Sequence, residues 1–301
     1  MAGKGRLSLG LMRLKDISVE DLAKTLLASY ELGVRELDIA DVYVGGVAET
    51  KLGAVFAANP GFRDKVFLQS KAGIVKGADH DYYDFSRTHL LEAVDASLKR
   101  LQTDHLDSLL LHRPDVFADA NEVGEALNEL HRSGKVRHFG VSNFPVAMIE
   151  YLESGMGGLK FETAQYQLGL GQAALFADVI NENNVNPAGG SLDSGLLFFL
   201  KRHNIDLEAW SPLQIGLFKG NVLTDPAYAK TQAKPRELAA KTPVTPGWNA
   251  TSFVPTPCNT LRALTGSLNL GHIKEALAGT EIKLDKADWY ALYETTGNLL
   301  P

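Results

Sequence analysis

The sequence is poor in cysteine, in net positive charge and in long apolar runs, and each shortage excludes a class of protein. One cysteine, Cys258, stands in 301 residues, so no internal disulfide and no thiolate-rich zinc site can form. A reducing compartment suits such a chain, and the cytoplasm is the expected location. Lys and Arg number 30 against 36 Asp and Glu, a net charge of −6. That balance lacks the basic field that draws in a phosphate backbone, so no nucleic-acid partner is expected. The first residues lead into only a short apolar run, Leu7 to Met12. It is too short for a signal-peptide core or a membrane span, so neither export nor a membrane is expected. His80, His89, His105, His131, His138 and His203 show neither HxH nor HExxH spacing. The paired ligands of a metal-dependent hydrolase are therefore missing, and no metal site is expected.

What the chain does have is a 45% hydrophobic and 22% charged composition, ordinary for a globular protein with a large core. Eight apolar runs of strand length recur between amphipathic segments: 7–11, 34–39, 66–69, 106–111, 136–141, 161–165, 205–210 and 261–265. Runs with little polar alternation suit parallel strands covered on both faces, and the segments between them are long enough for crossover helices. Ser18 can cap a helix with Val19, Leu22, Leu26 and Leu27 on one face, ended by Gly33. Ser86 opens another with Leu91, Val94, Leu98 and Leu101 inward. Asp119 and Glu122 have the spacing of a capping box ahead of Val123, Ala126, Leu127 and Leu130, with Gly134 as the stop. The eighth helix is expected near Leu270, and Asp285 to Thr296 as an extra terminal helix.

This alternation predicts an α/β fold: one domain over residues 1–301, a (β/α)8 TIM barrel with an extra C-terminal helix. Two stretches break the pattern. Residues 181–190, rich in Asn and Gly, read as a long loop. Residues 243–259 occupy the place expected for the seventh helix yet contain Pro243, Pro246, Pro255 and Pro257, so a short or broken helix is expected there. GLGQAA at 169–174 matches a loose dinucleotide fingerprint, but no second strand follows its helix, and the match reads as coincidence.

In such a barrel the reactive side chains project from the C-terminal ends of the strands. The residues there are Asp38 with Tyr43 just beyond, Lys71, His112, Ser142 with Asn143, Gln165, Trp210 with Ser211, and Gly266 with Ser267. LDIADVY (37–43), LQSKAGI (68–74), LLLHRPD (109–115), GKVRHFGVSNF (134–144), EAWSPL (208–213) and TGSLNLGHI (265–273) stand in this order over nearly the whole chain. Together they resemble the aldo-keto reductase superfamily, in particular its bacterial members. The resemblance implies an NADPH-dependent reduction of aldehydes or ketones to alcohols, on a small-molecule carbonyl substrate. It implies Asp38, Tyr43, Lys71 and His112 as the catalytic set. It also implies a cofactor, NADP(H) with NAD(H) also admitted, held by residues from several strand ends. Ser142, Asn143 and Gln165 would bond the nicotinamide amide, and Trp210 would stack on its ring. Ser211, Pro212, Leu213 and Gly216 would follow the pyrophosphate, and Gly266, Ser267 and Asn269 would meet a phosphate at a helix start. His272 stands where the family commonly places an arginine facing the adenosine 2′-phosphate.

The chemistry agrees with this set. Carbonyl reduction needs an acid for the developing alkoxide, and a phenol of pKa about 10 is reluctant at neutral pH. Lys71 close to Tyr43 would lower that pKa, Asp38 would hold Lys71 charged, and His112 would orient the carbonyl oxygen as a neutral donor. The competing class is a nucleotide-binding regulatory or redox-sensing protein on the same barrel, with little turnover. The intact set of four favours the enzyme.

Overall fold

The computed structural model describes residues 6–181, 195–215, 220–241, 253, 261–298 and 300. Outside them fall Gly216, Cys258, the expected loop beyond Asn181 and, apart from Phe253, the proline-rich 243–259. The chain divides into two compact units, Met1–Gln165 and Tyr166–Pro301.

The first unit carries β1 (Leu7–Gly10), α1 (Val19–Leu32), β2 (Glu36–Asp38), α2 (Val47–Ala58), β3 (Phe67–Ala72), β4 (Ile74–Val75) and β5 (Tyr82–Tyr83). It continues with α3 (Arg87–Leu101), β6 (Leu106–Leu111), α4 (Ala120–Arg132), β7 (Val136–Ser142), α5 (Val146–Gly155) and most of β8 (Phe161–Gln167). Every residue of β3 and β6 is buried, which is why these strands read as unbroken apolar runs rather than alternations. The short antiparallel hairpin of β4 and β5 is an addition that the apolar pattern does not announce.

Local signals set the helix ends. Ser18 accepts the Asp21 N–H, and Gly33 ends α1 at φ 113°, a conformation natural only to glycine. Ser86 accepts the His89 N–H at the start of α3, but Leu90, not Leu91, is the residue that goes fully inside with Val94, Leu98 and Leu101. Leu27 likewise lies at the edge of its apolar stripe and stays exposed. Asp119 caps α4 through the N–H groups of Asn121 and Glu122. Glu122 does not complete the expected box; its Oε1 accepts the backbone N–H of Arg87, 2.9 Å away, and ties α4 to the start of α3. At the N-terminal end of the barrel, Asp107 receives Arg63 at 2.9 Å and Arg137 at 3.0 Å, a stabilising rather than a reactive end.

The second unit carries α6 (Ala174–Ile180), α7 (Leu196–His203), β9 (Asp206–Trp210), α8 (Ala229–Lys241), β10 (Leu261–Thr265), α9 (Leu270–Glu281) and α10 (Lys286–Glu294). Its aromatic core stacks Phe253 on Trp289 at 4.9 Å, with Phe176 edge-on to Trp289 at 5.2 Å. Helix α8 lies between β9 and β10, and the short or broken helix expected at 243–259 lies outside the described residues apart from Phe253. Helix α8 holds Pro235 in its interior, a residue that removes a backbone bond and reads as a break.

The strands form a closed parallel barrel in the order β1-β10-β9-β8-β7-β6-β3-β2. The fold is therefore the expected (β/α)8 barrel, and α10 is the extra C-terminal helix. Among the described residues no helix is long and apolar enough to cross a membrane, and no group of His, Cys, Asp and Glu could hold a metal ion.

Candidate active site

Asp38 is the last residue of β2, Lys71 lies in β3 and His112 follows β6 directly. Tyr43 opens a short 3-10 turn, Tyr43–Gly46. Parallel registers place Asp38 opposite Gln69 and Lys71 opposite Leu110. Four residues far apart in sequence thus arrive at one end of the first unit's sheet.

Lys71 is fully buried and donates three hydrogen bonds: to Asp38 Oδ1 at 2.6 Å, to the Ile39 carbonyl at 2.9 Å and to the Tyr43 hydroxyl at 3.3 Å. An ammonium has three donors, so all are in use. Because the third goes to the phenol oxygen, the phenol must direct its own proton elsewhere. Burial works against the Lys71 charge, but Asp38 and Tyr43 outweigh it and hold the ammonium above its ordinary pKa. Asp38 accepts further bonds on Oδ2 from Gln69 Nε2 at 2.9 Å and Gln165 Nε2 at 3.0 Å. It is thereby fixed on both oxygens.

Burial pushes the Tyr43 phenol above its ordinary value; the Lys71 charge pulls it down without reversing the shift. This corrects the expectation of a net lowering: desolvation of the phenolate outweighs the cation beside it. His112 stands edge-on to Tyr43, with ring centroids 5.8 Å apart. Burial first, then the charges of Lys71, Arg113 and Lys76, lower its pKa well below the usual imidazole value. That direction favours the neutral imidazole.

Of the proposed cofactor residues in the first unit, Ser142 ends β7 and is buried, and Asn143 beyond it takes φ 65°. The Asn143 amide bonds Ser142 Oγ at 2.7 Å, and its backbone N–H bonds the Gln165 carbonyl at 2.9 Å. Gln165 thus joins Asp38 as well as the Ser142–Asn143 corner, a structural duty that the sequence did not announce. Gln69 is a further residue missed; its place two before Lys71, on the same side of a strand, is the signal that could have found it.

In the second unit, Trp210 ends β9 half-buried, and Ser211 takes φ 52° ahead of a turn through Pro212 and Leu213 closed by the Gln214 N–H on the Ser211 carbonyl. Past β10, Asn269 caps α9 through the His272 N–H at 3.2 Å, and Ser267 Oγ lies 3.2 Å from His272 Nδ1. Ser267, Asn269 and His272 are thus brought together at a helix N-terminus. Among the described residues a side chain at Gly266 would meet nothing within 4 Å.

The profile of the Aldo/keto reductase family matches residues 6–295. The chain is 33% identical over 268 residues to a 6-dehydroglucose reductase of Agrobacterium fabrum, covering 87% of this chain and 82% of that one. A 6-dehydroglucose reductase of Novosphingobium aromaticivorans is also 33% identical, over 299 residues, with 93% and 88% covered. Among solved structures, an aldo-keto reductase from Klebsiella pneumoniae in complex with NADPH superposes with a TM-score of 0.78 at 22% identity, covering 99% of this chain and 93% of that one. The chain belongs to the aldo/keto reductase family and is an NAD(P)H-dependent reductase.

Proposed function

We propose that the protein, working as one domain over residues 1–301, reduces an aldehyde or ketone to the alcohol with Tyr43 as general acid. The observation that carries this reading is the third hydrogen bond of Lys71. A buried ammonium donating to the phenol oxygen at 3.3 Å leaves the phenol proton as the one the site can give away. When bound, the nicotinamide cofactor supplies the hydride.

The protein's own part is proton delivery and orientation. Tyr43, kept protonated by its burial, passes its proton to the carbonyl oxygen as negative charge builds there. The Lys71 ammonium then faces the phenolate left behind, and Asp38 keeps that ammonium in place. Neutral His112 points a ring N–H at the same oxygen, a donor aimed where charge develops.

NADP(H) is the cofactor that the site suits best, with NAD(H) admitted because His272 replaces a permanent guanidinium. Support comes from the NADPH bound in the Klebsiella pneumoniae structure and from Ser267, Asn269 and His272 brought together at the α9 N-terminus. Ser142, Asn143, Gln165 and Trp210 would hold the nicotinamide; Ser211, Pro212, Leu213 and Gly216 the pyrophosphate; Gly266, Ser267, Asn269 and His272 the adenosine phosphate.

Tyr43→Phe tests the reading. Turnover of carbonyl substrates should fall by roughly a thousandfold or more, in line with loss of a general acid, while NADPH still quenches tryptophan fluorescence. Full turnover in Tyr43→Phe would remove the assignment.

A further inference from the structure

Arg113 follows His112 directly. The residue is half-buried, and among the described residues its guanidinium makes no hydrogen bond, ion pair or ring contact. Five N–H donors and a permanent charge, partly withdrawn from water, are costly to hold without an acceptor.

Asp38, Asp115, Asp84 and Asp81 in the surrounding segments are committed elsewhere. Asp38 serves Lys71, Gln69 and Gln165. Asp115, buried two residues on, accepts the backbone N–H groups of Phe85 and Phe117, each at 2.9 Å. Asp84 accepts the Ser86 N–H, and Asp81 pairs with Lys76. The Asp115 bonds, with the His112 N–H on the Ala72 carbonyl at 2.9 Å, hold the backbone on either side of Arg113. The guanidinium is therefore presented on a fixed frame rather than on a loose loop.

The charge of Arg113 reaches both Tyr43 and His112 and pulls the pKa of each downward. Arg113 follows His112 at the end of β6, the strand end that carries the candidate catalytic set. There Asp38 and Lys71 pair with each other, whereas Arg113 brings a permanent positive charge with no ion-pair partner among the described residues.

We infer that Arg113 is a specificity-determining residue that takes a carboxylate of the substrate, so that the protein selects carbonyl compounds bearing a carboxylate over neutral ones. The guanidinium fork matches the two oxygens of a carboxylate, and a buried-side pairing of this kind is stronger than a neutral hydrogen bond. The inference rests on the reductase reading above.

The test compares 4-carboxybenzaldehyde with its methyl ester, methyl 4-formylbenzoate, two aldehydes of like electronics that differ in charge. The NADPH-loaded wild type should prefer the acid in kcat/KM, and Arg113→Met should cut the acid-to-ester ratio by roughly ten- to a hundredfold. That loss should sit in KM for the acid, and Arg113→Lys should recover part of it. An independent arm measures binding of 4-methylbenzoate, which cannot be reduced, to both proteins by calorimetry. Arg113-dependent binding without turnover of either aldehyde would keep the inference and remove the reductase reading. An unchanged acid-to-ester ratio with equal 4-methylbenzoate binding overturns the inference. So does a loss confined to NADPH affinity, which would give Arg113 to the cofactor.

Discussion

The Asp41 carboxyl, two residues ahead of Tyr43, has its Oδ1 buried and without a hydrogen-bond partner among the described residues. Burial pushes its pKa up to about 7, the Glu49 charge adds to the rise, and the Val42 N–H, Arg100 and Lys71 oppose it. The folded state thus binds this proton more tightly than the unfolded chain, whose value is 3.8. The stability it contributes is complete below the unfolded value and is lost as pH rises through about 7. Asp41→Asn should flatten that decline and leave the variant more stable than wild type at pH 8, by on the order of 2 kcal/mol; urea melts of both proteins from pH 4 to 8 check it. Val44 sits at φ 52° and ψ 35° in the turn behind Tyr43. A β-branched residue there carries strain of about 1–2 kcal/mol. Val44→Asn, which tolerates this conformation, should gain about 1 kcal/mol in urea unfolding; a loss would mean that packing of the valine outweighs its backbone strain.

At the scale of elements, close approaches of backbone to backbone depend on glycine. A side chain at Gly124 of α4 would collide with the Gly155 carbonyl of α5, and one at Gly155 with the Ala120 carbonyl. Gly124→Ala should therefore separate the two helices and destabilise by about 1–3 kcal/mol, read as a lower urea midpoint. The strands were legible because their two buried faces leave an apolar run with few interruptions. Leu106–Leu111 and Leu261–Thr265 keep the bounds that the sequence suggests. The β4–β5 hairpin was not legible, since Tyr82 and Tyr83 are exposed and leave no apolar signature. Helix α8 was not legible because Pro235 and a polar composition mask it. At the site, Asp38, Tyr43, Lys71 and His112 were readable as chemistry placed at strand ends. The roles of Gln69, Asp41 and Arg113 depend on which partners they have or lack, and a linear sequence does not carry that.

Over the whole molecule, a closed strand order leaves no edge open, whereas half a sheet would expose one. A protein that works as one domain should unfold in a single transition, with far-ultraviolet dichroism and tryptophan fluorescence coinciding in urea. NADPH at about a hundred times its Kd should raise unfolding free energy by about 2.7 kcal/mol. His272→Arg should increase NADPH affinity while leaving NADH nearly unmoved, because a guanidinium pairs two phosphate oxygens at any working pH; equal gains for both cofactors would place position 272 away from the 2′-phosphate. The central claim, hydride delivery to a carbonyl carbon with the proton from Tyr43, is tested most directly by mass spectrometry of the alcohol formed from NADPH deuterated at the transferring position of C4. Wild type should place one deuterium on the carbonyl carbon and Tyr43→Phe should form the labelled alcohol roughly a thousandfold more slowly or not at all; labelled alcohol formed at the wild-type rate by Tyr43→Phe would contradict the account.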